Sequence, residues 1–120
     1  MNVYISVPMS GRTVKEVEAD IKAAKKDFAF NGKRTKFCSN IDIFKQHPDL
    51  DPLLGLATAI ERMSDVDAIY VCDGWRKSKG CRIEVAIALL YSIPIYGIDA
   101  EIADNLEMII RKKYQPKKNK

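Results

Sequence analysis

No run of about 18 apolar residues occurs anywhere in the 120-residue chain, so no membrane-spanning helix is expected. The first residues lack a basic segment followed by an apolar one, so no secretory leader is expected and the simplest location is the cytoplasm. Cysteine is scarce. Cys38, Cys72 and Cys81 are odd in number and form no CxxC pair, which argues against a disulfide framework and against a zinc site. They read as small buried residues in a reducing compartment. The single histidine, His47, stands in a proline-containing loop without a carboxylate pair or cysteine cluster nearby, and neither a metal nor a cofactor is expected. The six glycines never fall into the G-x-x-x-x-G-K-[ST] pattern of a phosphate loop or the G-x-G-x-x-G pattern of a dinucleotide site. There are no internal repeats.

Charge is unevenly placed. The formal net charge is +4, but the last ten residues, RKKYQPKKNK, hold six of the 20 basic residues and no acid. Residues 1–110 are left with 14 basic against 16 acidic residues, a net of −2. The body is therefore not a basic nucleic-acid-binding domain, and contact with nucleic acid is an expectation only for the tail, which otherwise reads as a solvated end. With 47% hydrophobic residues the chain can bury a core. The reading is one domain over residues 1–110 and a basic tail over 111–120.

Residues 3–7 read as a short buried strand. A helix is expected from Thr13 to Asn31, with Thr13 and Glu16 as a capping box, Val14, Val17, Ile21, Ala24 and Phe28 on its inner face, and Asn31-Gly32 as its stop. Thr35 to Cys38 suggests a second strand, and residues 39–50 have no period and read as a loop. Asp51-Pro52 looks like a cap followed by proline at the first helical position, with Leu53, Leu56, Ile60 and Met63 inward. Asp67 to Cys72 is an apolar strand suited to burial on both faces. The polar loop DGWRKSKG leads into a helix over Cys81 to Tyr91, apolar on nearly every side. Ile93 to Ile98 forms a fourth strand, and Asp99 caps a last helix. This alternation predicts an α/β fold, a flavodoxin/Rossmann-like three-layer sandwich around a parallel sheet of four or five strands in the order 2-1-3-4. The chain reverses direction between strands one and three, so the ligand crevice lies at their carboxyl ends. The loops that meet there are PMSGR, residues 8–12, and DGWRKSKG, residues 73–80.

PMSGR is open to two readings. Backbone amides near Met9, Ser10 and Gly11, and the helix N-terminus that follows, are suited to an anion; a plain strand-to-helix turn has the same letters. In the second loop Gly80 allows a sharp turn, and Glu84 falls at the end of the first turn of a buried helix. Acids favour helix N-termini, by about 0.3–1 kcal/mol, which is one explanation. The other is that Glu84 is a nucleophile or base kept ionised against burial. Ser78 is placed to cap that helix or to donate to a phosphate. Trp75, the only tryptophan, lies in an exposed loop and either stacks on a planar base or packs on the neighbouring helix.

The stretches YISVPMSG and DAIYVCDGW-x-x-S-x-G-x-x-x-E-x-x-x-A together resemble the nucleoside 2-deoxyribosyltransferase superfamily, and most closely its small DUF4406 branch. The deoxynucleoside 5′-monophosphate N-glycosidases share that fold. The resemblance covers most of residues 3–98. It implies that Glu84 attacks the anomeric carbon of a deoxyribose to form a covalent glycosyl-enzyme, resolved by water or a second base. It also implies that Ser78 and the amides of Met9, Ser10 and Gly11 contact a 5′-phosphate or 5′-hydroxyl. Trp75 would line the base side, and Tyr4 and Ser6 would sit near the sugar or the nucleophile. Asp73 and Gly80 complete the expected substrate-binding set. Self-association as a homodimer or larger homo-oligomer is a further implication, with residues 39–50 as a lid or interface. Two departures stand out. Val7 replaces the glycine of many relatives and threatens to crowd a ligand. Ala59 stands where relatives carry an aspartate that helps protonate the leaving base, which raises the alternative of a nucleotide-binding protein without turnover.

Overall fold

The computed structural model describes residues 1–28 and 34–97. The elements run in the order β1 (Asn2–Ser6), α1 (Val14–Phe28), β2 (Lys36–Cys38), α2 (Ile41–Gln46), α3 (Pro52–Met63), β3 (Ala68–Val71), a single 3-10 turn (Trp75–Lys77), α4 (Lys79–Leu90) and β4 (Ile95–Tyr96). All strands are parallel, in the order β2-β1-β3-β4, which is the expected α/β arrangement with four strands. The expected last helix, the stop at Asn31-Gly32 and the basic tail lie outside the described residues. Among the described residues no helix is long and apolar enough to cross a membrane.

Side-chain alternation along β1 builds both layers of the core. Val3, Ile5 and Val7 go to the α1 side, where Val17, Ile21, Ala24 and Phe28 recur on one helical face. Tyr4 goes to the other side, against Ala59 and Met63 of α3 and Val85 and Ala88 of α4. The capping box at α1 forms as the sequence predicts: Glu16 N donates to Thr13 Oγ1 at 3.2 Å, and Thr13 N donates to Glu16 Oε1 at 2.9 Å. Asp51 Oδ1 caps α3, accepting from Leu53 N at 2.8 Å. Asp67 pins the start of β1 by accepting from Asn2 N.

Four expectations need correction. The inner face of α3 is Ala59 and Met63, one turn apart; Leu53 is 73% exposed and Ile60 41%. The small side chain of Ala59 lets α3 approach Tyr4 and α4 closely, and this sets the rotation of the helix. Residues 41–46 form the short helix α2 within the expected loop; it buries no residue, so it leaves no apolar period. On α4 only Cys81, Glu84, Val85 and Ala88 are buried, while Ile83 and Leu90 face solvent. Gly80 lies in the first turn of α4, with open space beside it and no left-handed backbone, so it makes no sharp turn.

Candidate active site

Tyr4 and Ser6 share the α4-facing side of β1, and both reach Glu84. The Ser6 hydroxyl donates to Glu84 Oε1 at 2.6 Å, and the Tyr4 hydroxyl donates to Oε2 at 3.0 Å. Glu84 is 6% exposed, and Ser6 is fully buried. Burial pushes the Glu84 carboxyl above its ordinary value, while hydrogen bonds from Ser6 and then Tyr4 pull it back. Burial and the adjacent Glu84 carboxylate push the Tyr4 phenol well up, which keeps it a donor. The Cys81 thiol, one turn before Glu84, is raised by burial and lowered by hydrogen bonding to Ser6 and Ser78. It is therefore no thiolate nucleophile at neutral pH.

Because α4 begins at Lys79, Glu84 is its sixth residue, beyond the first turn to which the helix dipole largely confines its effect. Preference of acids for helix N-termini therefore does not explain this carboxylate. What holds it is the pair of hydroxyls on β1.

The two loops meet as the strand order requires. Cys72 N donates to Ser6 O at 2.9 Å, placing the start of the second loop beside the end of β1. Gly74 takes φ +86°, in the left-handed region that favours glycine, and opens the 3-10 turn beside Pro8. Between the loops is a cavity of about 500 Å³ lined by Ser10, Arg12, Asp20, Asp73, Lys77 and Ser78 among others. Ser78 caps α4, accepting from Cys81 N at 3.2 Å. Glu84 is not among the residues lining this cavity.

PMSGR itself is a turn. Arg12 N donates to Met9 O at 3.1 Å, and Gly11 at φ +73° occupies the third position, as a type II turn demands. At the N-terminus of α1 the Glu16 carboxylate accepts from the Thr13 amide and so takes up one of the donors an outside anion would use.

Of the predicted site residues, Tyr4, Ser6 and Glu84 form one hydrogen-bonded group, while Ser10, Asp73 and Ser78 line the cavity. Met9 and Gly11 shape the turn, and Gly80 lies within α4. Trp75 is not on an exposed loop: it is 9% exposed and packs with Tyr4, Cys81 and Val85, because the 3-10 turn folds it inward. Its guanidinium neighbour Arg76 lies 5.9 Å from the ring centroid. Val7 packs into the α1-side core and so does not crowd the crevice. Ala59 is fully buried against Tyr4.

Sequence reading missed Arg12, Asp20 and Lys77. Arg12 Nη1 bonds Pro8 O at 2.9 Å and pairs with Asp20 at 2.7 Å, a contact that ties the turn to α1. Lys77 makes no ion pair among the described residues. The signal for Lys77 lay in its place within the switch-point loop. His47 is exposed, and the described residues hold no group of three or more metal-ligand side chains.

The chain belongs to the family described as a domain of unknown function, DUF4406, which it matches over residues 1–96. That span runs from β1 through β4 and includes both loops and Glu84. No curated protein and no solved structure matches it.

Proposed function

We propose that the protein cleaves the N-glycosidic bond of a deoxynucleoside or deoxynucleoside 5′-monophosphate, with Glu84 as the nucleophile. The observation that carries the reading is a buried carboxylate whose two oxygens are each held by a hydroxyl from β1. The resemblance to the nucleoside 2-deoxyribosyltransferases supplies the reaction. A Glu84 oxygen bonds to the anomeric carbon as the carbon–nitrogen bond breaks, and the bonding pair leaves with the base, which takes a proton from water. A second water then attacks the same carbon, returns the bonding pair to the carboxylate and loses a proton. Two displacements retain the anomeric configuration. A second base in place of that water gives transfer.

Within this reading Ser6 and Tyr4 aim the carboxylate and keep enough of it ionised to attack. The cavity between the loops, with the hydroxyls of Ser10 and Ser78 and the ammonium of Lys77, suits the 5′ end of the sugar or its phosphate. Asp73 is the carboxylate in that cavity not paired to arginine among the described residues. The exposed Leu53, Leu54, Leu90 and Tyr91 fit the expected homo-oligomer, which light scattering tests.

The test is incubation of the protein with a panel of deoxynucleosides and their 5′-monophosphates, followed by detection of free base. No release from any member at high enzyme and long times removes the reading. One observation favours a second reading. Ala59, against Tyr4, supplies no acid for the departing base, which suits a protein that binds nucleotides without turning them over. That reading requires saturable binding by calorimetry with no base released.

A further inference from the structure

A second cavity lies at the β2 edge of the sheet and serves none of the chemistry above. Its volume is about 380 Å³, within the range of small-molecule sites. Its apolar wall is Ile5, Ile21, Phe37 and Ile41. Neither Glu84 nor its partners Tyr4 and Ser6 line this cavity; Ile5 packs on the α1 side of β1, whereas Ser6 and Glu84 are on the α4 side.

The polar part of the lining is unbalanced. Asp42 is held by the Arg62 guanidinium in a two-pronged pair, Nη1 to Oδ1 at 2.6 Å and Nη2 to Oδ2 at 2.8 Å. Arg62 keeps that carboxyl below its ordinary value. Lys25 makes no ion pair among the described residues; its ammonium stands 5.9 Å from the centroid of the Phe37 ring. One uncompensated cation therefore sits beside an aromatic and aliphatic wall. The wall formed by α2 rests Ile41 and Phe44, both only partly buried, on the α1-side core and is tied to its neighbours by two ion pairs, Arg62 with Asp42 and Lys45 with Glu18.

We infer that this cavity is a binding site for a small organic monoanion with an apolar, preferably aromatic, body. The anion's carboxylate pairs with the Lys25 ammonium, and its apolar body lies against Phe37, Ile5 and Ile21. The site is distinct from the Glu84 centre and does not depend on the proposed glycosidic reaction.

Cys38 gives a local readout, since it lines the cavity and is half-buried, whereas Cys72 and Cys81 are buried. The experiment follows alkylation of the native full-length protein by iodoacetamide, mapped to each cysteine by peptide mass. Benzoate and phenylacetate at millimolar concentration are expected to slow Cys38 alkylation several-fold; benzamide, which has the same body without the charge, is expected to leave it unchanged. Lys25→Met is expected to abolish the protection, and Glu84→Gln to preserve it. The inference is overturned if neither anion slows Cys38, if benzamide protects as well as benzoate, if protection survives Lys25→Met, or if it is lost in Glu84→Gln.

Discussion

The Ser6 hydroxyl lies 2.6 Å from Glu84 Oε1, closing a contact between residues 78 apart in the chain. Together with Tyr4 it gives a carboxylate in the interior two donors and, among the described residues, no ion-pair partner. Removing either donor should therefore raise the Glu84 pKa further. Ser6→Ala should raise it more than Tyr4→Phe, because the Ser6 bond is the stronger of the two opposing influences. Each variant should lose about 1–3 kcal/mol of stability at neutral pH, where a buried carboxylate is left short of a partner. Carbon-detected titration of the Glu84 carboxyl checks the order; an unchanged or lower pKa in Ser6→Ala contradicts it.

Glu84→Gln should stabilise the fold at neutral pH. The folded carboxyl has a raised pKa, so the folded state holds its proton more tightly than the unfolded state does. Ionisation then disfavours folding, and the penalty is absent below the unfolded pKa and complete above the folded one. The variant's gain in melting temperature should therefore shrink to nothing as the pH falls through about 4.3, the unperturbed glutamate value. Thermal melts of both proteins between acid and neutral pH measure it. A gain that persists in acid would mean that packing, not charge, is responsible.

Two glycines six residues apart, Gly74 before the 3-10 turn and Gly80 in α4, should respond oppositely to alanine. Gly74 needs its left-handed backbone, and Gly74→Ala should cost about 1–3 kcal/mol. Gly80 sits in a helix with open space around it, and Gly80→Ala should stabilise by about 0.5–1 kcal/mol. Urea unfolding distinguishes the two signs.

Arg62 joins α3 to the segment after β2 through Asp42, Asn40 Oδ1 and the Ser39 carbonyl. Arg62→Lys keeps the charge and loses the fork. The loss in overall stability should be small, about 1 kcal/mol or less for a pair this exposed. Exchange of the α2 amides should nonetheless quicken several-fold while those of β1 and β3 do not change. Uniform protection across α2 in the variant would show that α2 is held by something else.

The sheet order was legible because right-handed crossovers leave few ways to arrange four alternating strands and helices. The approach of the two loops followed from it. Glu84 could be singled out because a carboxylate interrupts an apolar helix; its partners Tyr4 and Ser6 were suggested by the family resemblance alone, because a contact across 78 residues leaves no spacing to read. The face of α3 was misread because Leu53 and Ile60 keep helical spacing as well as Ala59 and Met63 do. The choice between them is made by packing against Tyr4, where a small residue fits. Trp75 sat among polar neighbours, Arg76 and Lys77, and only the backbone turn at Gly74 brings it inward. The Arg12–Asp20 and Arg62–Asp42 pairs join separate elements and were equally invisible.

The central claim is that Glu84 attacks a deoxyribose. Its most direct measurement is release of free base from deoxynucleosides and deoxynucleoside 5′-monophosphates by the native protein and by Glu84→Gln, followed side by side. The account predicts turnover of at least one substrate by the native protein and none by the variant, with the variant still folded. Release by both proteins at the same rate would remove Glu84 from the chemistry, and release by neither would remove the chemistry from the protein.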